Sequence, residues 1–257
     1  MNHFIRQLTK LASAYRDAEA AVVRAFFKKP RTKKEHLRWL KAQGFKEYSA
    51  IKPIIDALTA LYPNIDRGVG RHDYTELTEK LADETRHARL VMDLLEEISG
   101  KKITPRDLTW LPQDKKLAQV RARYSKSYAS LLHGWGKVGF KQIRRSDEAL
   151  QRAAITLTEG GGGALYLVCS RLNKRGIDGR IARVFREILQ DEVEHKDSGA
   201  RSLVPLIQDD TSFTRAAAII CEISCQRLRM RNEQFGFPLT PEALEALERR
   251  AKNGAAF

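Results

Sequence analysis

Two short stretches carry the same residue types at the same spacing: Asp83-Glu84-Thr85-Arg86-His87 and Asp191-Glu192-Val193-Glu194-His195. Each reads Asp-Glu-x-x-His, and each lies in a run with helical periodicity. Residues three apart on a helix share a face, so Glu84 and His87 point one way, as do Glu192 and His195. A carboxylate and an imidazole from each of two helices make half of a two-metal site. A carboxylate-bridged pair in a four-helix bundle takes one more Glu from each of two further helices.

Hairpin register suggests which Glu residues those are. Both helices of an antiparallel hairpin rise about 1.5 Å per residue, so residues level with each other are equidistant from the turn. The turn at 173–179 precedes Glu192, and the midpoint of 159 and 192 falls inside it, which selects Glu159. The loop 63–70 precedes Glu84, and the midpoint of 47 and 84 falls inside that loop, which selects Glu47. Glu35 would put the midpoint inside a helix, and Asp56 would put it at the loop edge, so Asp56 is the weaker candidate. Apolar rows such as Leu90-Val91-x-x-Leu94-Leu95 and Val184-x-x-x-Ile188-Leu189 run close to the acid/His faces. Charge on an inward face is costly unless a metal or partner compensates it. The alternative is a pair of solvated helix faces, with Glu84, Arg86 and Arg89 in surface ion pairs.

Directly after Glu159 comes Gly160-Gly161-Gly162-Gly163. Four helical glycines cost roughly 3–4 kcal/mol relative to alanine. A simple loop is one reading. The other is a distorted helical turn whose missing side chains leave a pocket beside the metals, since helical spacing resumes at Ala164-Leu165-x-Leu167-Val168.

The elements that must position these groups read as helices throughout. Apolar residues at steps of three and four predict helices over about 4–27, 33–62 and 72–98. The second is expected to break near Gly44 and bend at Pro53. Residues 101–115 form a connection. Further helices are expected over about 115–133, 147–173, 179–203 and 211–233. His133-Gly134-Trp135-Gly136 interrupts or ends the first of these, and Pro205 ends or kinks the third. Thr240-Pro241, a cap followed by Pro at the first helical position, starts a last helix. No run alternates as a strand would, so the fold class is all-α. One domain over 1–257 is expected, with a metal-binding bundle over about 45–205, an N-terminal helix over about 4–27 and C-terminal helices over about 211–252.

A chain of 257 residues with 42% apolar content can bury a sizeable core. No apolar run approaches the length of a membrane span, and the N-terminus lacks a signal-peptide apolar region, so no membrane partner and a cytoplasmic location are expected. Cys169, Cys221 and Cys225 do not form a secreted disulfide framework and read as free thiols. The formal net charge is +14, which attracts something acidic. The densest basic run, residues 28–34, holds no interleaved aromatic, so nucleic acid is not favoured. His3, His36, His72 and His133 have no partner at ligand spacing and read as surface or structural histidines.

The arrangement Glu47, Asp83-Glu84-x-x-His87, Glu159, Asp191-Glu192-x-x-His195 resembles the ferritin-like carboxylate-bridged diiron proteins. The doubled motif is similar to that of bacterial multicomponent monooxygenases and arylamine N-oxygenases, over about residues 45–200. The resemblance implies a ferritin-like four-helix bundle with additional N- and C-terminal helices. It implies two Fe ions held by Glu47, Glu84, His87, Glu159, Glu192 and His195, with Fe/Mn as an alternative pair. Glu84 and Glu192 would bridge, Glu47 and Glu159 would be terminal or shifting, and Glu159 and Glu192 would take part in catalysis. Asp83 and Asp191 would accept a hydrogen bond from a ligand histidine's other ring nitrogen, which fixes tautomer and orientation. The implied activity is O2-dependent oxidation of a small organic substrate, free or bound to a carrier, with electrons from an acidic redox protein. A tRNA hydroxylase, a non-enzymatic iron-binding protein and an all-helical interaction protein are the competing readings. A homodimer is compatible with any of them.

Overall fold

The computed structural model describes residues 3–67, 69–124, 147–159, 162–194 and 198–254. Among them there is no strand, only an isolated bridge between Ile65 and Val69. The helices are α1 (His3–Phe27), α2 (Lys33–Leu61), α3 (Arg71–Ser99), α4 (Pro112–Tyr124) and α5 (Asp147–Glu159), then α6 (Gly162–Ser170), α7 (Gly176–Glu194), α8 (Ser198–Leu203), α9 (Asp210–Gln234) and α10 (Pro241–Asn253). No described helix is long and apolar enough to cross a membrane.

Local chemistry sets the helix ends. Thr32 opens α2 with a reciprocal capping box: its Oγ1 accepts from the Glu35 N–H, and the Thr32 N–H donates to Glu35 Oε2 at 2.8 Å. The Thr32 backbone and hydroxyl bonds, with Arg31 beside them, hold the Glu35 carboxyl down to about 2. Asp209 and Thr240 cap α9 and α10 in the same sense. Gly100 closes α3 at φ 75°, where a side chain would be strained. Thr32→Ala removes one cap acceptor and is expected to lower stability by about 1 kcal/mol, read as a fall in Tm of about 2–4 °C.

Helix α2 runs unbroken through both Gly44 and Pro53. Gly44 is there for space: a Cβ would lie 3.0 Å from Leu108 Cδ2 and 3.4 Å from Val91 Cγ1. Close approach of α2 to α3 and to the segment after it outweighs the glycine's low helix propensity. The expected 115–133 helix starts earlier, and α4 is described to Tyr124; His133 to Gly136 lie outside the described residues. Within the expected 147–173 helix lie α5 and α6; the expected 179–203 helix starts earlier, at Gly176, and corresponds to α7 and α8. Residues 160–161 and 195–197 between them fall outside the described set.

The side chains bury into three apolar clusters. One joins α2, α3, α6 and α7, with Trp39, Leu40, Val91, Leu95, Leu165 and Phe185 among its members. A larger one joins α1, α4, α5, α8, α9 and α10. A small third closes the tip of the α2–α3 hairpin. Helix α1 contributes to the first two: Leu8, Leu11 and Val22 enter the larger cluster, Val23 and Phe26 the other. The terminal helices α1, α9 and α10 are therefore structural members, packed on one another and, through α1, on α6.

Candidate metal centre

Helices α2 and α3 pack side by side along the hairpin. They bring Glu47, Glu84 and His87 together, with one potential ligand atom from each within 4.8 Å of the other two. Glu47 and His87 are buried, and Glu84 is half-buried. The two other acids weighed for the Glu47 position are engaged elsewhere: Glu35 in the α2 cap, and Asp56 with Lys52 at 2.7 Å.

The two ring nitrogens of His87 have different surroundings. Its Nε2 lies 3.0 Å from Asp191 Oδ2, across the α3–α7 contact. Its Nδ1 is buried and meets no hydrogen-bond partner among the described residues. A buried ring nitrogen left alone costs about 1–3 kcal/mol. With Nε2–H donating to the Asp191 carboxylate, Nδ1 is a bare lone pair, on a ring that brings one nitrogen within 4.8 Å of a Glu47 and a Glu84 oxygen. That donor set fits a divalent cation that favours oxygen and imidazole ligands.

Arg86 joins the two motifs. Its Nη2 lies 2.7 Å from Asp83 Oδ1 and 2.7 Å from Asp191 Oδ2. Asp191 thus serves both His87 and Arg86, and Asp83 is paired with Arg86. The hydrogen bond to Asp191 raises the Arg86 guanidinium further above its ordinary value.

Glu47 is held from the opposite side. Its Oε1 accepts from Gln43 Nε2 at 2.5 Å and from the Tyr166 hydroxyl at 2.9 Å. Gln43 Oε1 in turn accepts from Gln234 Nε2 at 2.9 Å and Arg231 Nη1 at 3.3 Å, so the Gln43 amide N–H must face Glu47. Arg231 Nε also donates to Glu19 Oε1 at 2.8 Å. Burial alone would push the Glu19 carboxyl up; Arg231 and Arg227 outweigh it and hold it below the usual range. A buried polar chain from α1 through α9 and α2 therefore ends on one oxygen of Glu47, and Tyr166 adds a second donor from α6.

None of Gln43, Tyr166, Arg86, Arg231 and Glu19 emerges as a site residue from motif spacing. The available signals were Gln43 and Glu47 one turn apart on α2, and Glu19 inside the buried face of α1.

The second motif is placed by backbone. Glu192 lies on α7, one residue from Asp191, and Glu159 is the last residue of α5. His195, Gly160 and Gly161 lie outside the described residues, and Gly162 and Gly163 open α6 as helical residues. The remaining described histidines divide. His72 is exposed beside Glu76. His36 is buried against Trp39, with Nε2 3.4 Å from Asp178, and burial holds its ring below the ordinary histidine value.

Comparison with family models, with curated proteins and with solved structures finds no match to this chain.

Proposed function

We propose that this chain is a ferritin-like, dinuclear non-heme metalloprotein that oxidises a small organic substrate with dioxygen, the substrate being free or held on a carrier. Glu47, Glu84 and His87 hold one ion. Glu159, Glu192 and His195, from the second motif, complete a pair. The observation that carries this reading is His87: its Nδ1 is buried with no hydrogen-bond partner among the described residues and its Nε2 is held by Asp191, while one nitrogen of the ring lies within 4.8 Å of Glu47 and Glu84. A structural histidine in a core is expected to have both ring nitrogens satisfied or one exposed.

Two irons, or iron with manganese, supply dioxygen activation when bound. The chain's own residues set the conditions. Asp191 fixes the tautomer of His87. Gln43 and Tyr166 occupy Oε1 of Glu47, so Oε2 is the oxygen left for a cation. Tyr166 also belongs to the apolar cluster containing Val91, Leu165 and Phe185, which keeps water from the buried side. Electrons would come from an acidic redox protein, whose approach the net charge of +14 favours without marking where it docks.

Metal analysis after anaerobic loading with ferrous iron tests the reading. About two ions per chain are expected for a bundle site of this class, falling to about one in Glu192→Gln. His87→Ala is expected to lose the ion held by α2 and α3. An intact helical chain that binds no metal would overturn the reading. One ion per chain, unaffected by Glu192→Gln, would reduce it to a mononuclear site.

A further inference from the structure

We infer that the end of the bundle formed by the α1–α2 connection, the α3–α4 connection and the α6–α7 turn binds single-stranded nucleic acid, with Phe237 stacking on a base. The inference does not rest on the metal reading. Lys34 precedes Glu47 by thirteen residues on α2, which separates the two places by roughly 20 Å.

Charge is the first observation. Residues 28–41, 101–107 and 171–180 hold fourteen Lys and Arg against three Asp and Glu, a net +11 of the chain's +14. These segments are far apart in sequence, and the fold joins them. Lys33 Nζ donates to the Ser99 carbonyl at 3.3 Å, tying the start of α2 to the end of α3. His36 meets Asp178 in the first turn of α7, and Arg180 Nη1 donates to the Glu97 carbonyl at 3.2 Å. Lys28, Lys29, Lys34, Lys101, Lys102 and Lys174 are exposed, and none pairs with a carboxylate among the described residues. Unpaired lysines brought to one face are suited to a run of phosphates, whose condensed counterions they release on binding.

Phe237 is the second observation. Lys34, Arg38 and Lys41 line one stripe of α2, and the chain after α9 passes beside it: a Cβ on Gly236 would lie 3.4 Å from Arg38 Nη1. The next residue, Phe237, is 59% exposed and has φ 60°. Left-handed backbone at a bulky residue is costly, and here no burial offsets it. Its N–H donates to the Asn232 carbonyl at 2.7 Å, which fixes the turn that presents the ring. A phosphate-binding face with an aromatic ring at its edge is the arrangement used for unpaired strands. An acidic protein would call for an apolar centre ringed by charge. The exposed face here is lysine-rich, with the aromatic ring at its margin. Residues 28–34 hold no aromatic of their own; the fold supplies one from the far end of the chain.

Fluorescence anisotropy with the full chain and a labelled oligouridine tests this. Binding should weaken steeply with salt, with a slope of log K on log salt of about −4 for about six phosphates. Lys28→Gln/Lys34→Gln/Lys101→Gln should weaken it by at least about tenfold, whereas Lys10→Gln/Lys52→Gln/Lys252→Gln, with the same charge change elsewhere, should cost less than about twofold. Phe237→Ala should cost about five- to a hundredfold with the salt slope unchanged. Circular dichroism and metal content should match the unmodified chain in every variant. Equal losses in the two triple variants, an unaffected Phe237→Ala, or tighter binding to phosphatidylserine vesicles or polyglutamate than to the strand would each overturn the inference.

Discussion

Arg231→Met is expected to destabilise the folded chain by about 3–5 kcal/mol, because it leaves a carboxylate buried with its main partner gone. Arg231 is 1% exposed and Glu19 is 3% exposed. The guanidinium donates through Nε and Nη2 to the same Glu19 oxygen and through Nη1 to Gln43 and Gln234. After the substitution Glu19 keeps Arg227, whose Nε is 3.5 Å away, and the charge of Lys46. The pair itself need not be stabilising, since taking two charges out of water offsets much of their attraction. Glu19→Leu/Arg227→Met/Arg231→Met, which removes the charge of Glu19 and of both its arginines, should therefore recover most of the loss. The sign with pH follows from Glu19, whose carboxyl is held low in the folded chain despite burial. Its contribution is present above the unfolded carboxylate value and fades as pH falls through the lower folded value. In Arg231→Met the same carboxyl gains a proton readily, so the gap between the two proteins should narrow in acid. Urea unfolding of the single and triple variants at neutral and acid pH checks this. A single-variant loss under about 1 kcal/mol, or a triple variant worse than the single, would contradict the assignment of Arg231 as the counter-charge of Glu19.

The α2–α3 half of the candidate site is legible because it needs only local quantities. A helical rise, a turn position and an i,i+3 motif suffice to put Glu47, Glu84 and His87 on facing positions of one hairpin. What holds those groups is not legible, because it arrives from elsewhere. Tyr166 reaches Glu47 across 119 residues, and Arg231 reaches Glu19 across 212. Periodicity says which face of α1 or α9 is buried, not against which helix. Hence the terminal helices read as additions to a bundle, while in the fold α1 and α9 carry the acid and base that orient Gln43. Gly44 shows the same limit: propensity alone suggests a break, and only the contact with Leu108 and Val91 explains a glycine in a continuous helix. Arg86 reads as a surface charge because its second partner, Asp191, lies 105 residues away. The basic run at 28–34 is visible in the sequence, but its convergence with 101–107 and 171–180 depends on which helix ends meet.

Asp191→Asn is expected to lower metal affinity about 10–100-fold with little loss of fold stability. The carboxylate can only accept, so it forces the proton of a neutral His87 onto Nε2 and leaves Nδ1 bare. An asparagine can present its amide N–H instead. Nε2 then accepts, the proton moves to Nδ1, and the nitrogen that should face the cation becomes a donor. The variant also gives up one partner of Arg86, which lies 2.7 Å from both Asp83 and Asp191. Asp83→Asn separates the two effects, because it weakens the Arg86 contact and leaves the His87–Asp191 hydrogen bond in place. Competition between the protein and a chromophoric chelator for ferrous or manganous ion gives the affinities, and thermal unfolding of the metal-free proteins gives the stability. If Asp191→Asn and Asp83→Asn weaken metal binding equally, the effect runs through Arg86. If neither does, Nδ1 of His87 is not a ligand, and the cluster of Glu47, Glu84 and His87 is a hydrogen-bonded core feature.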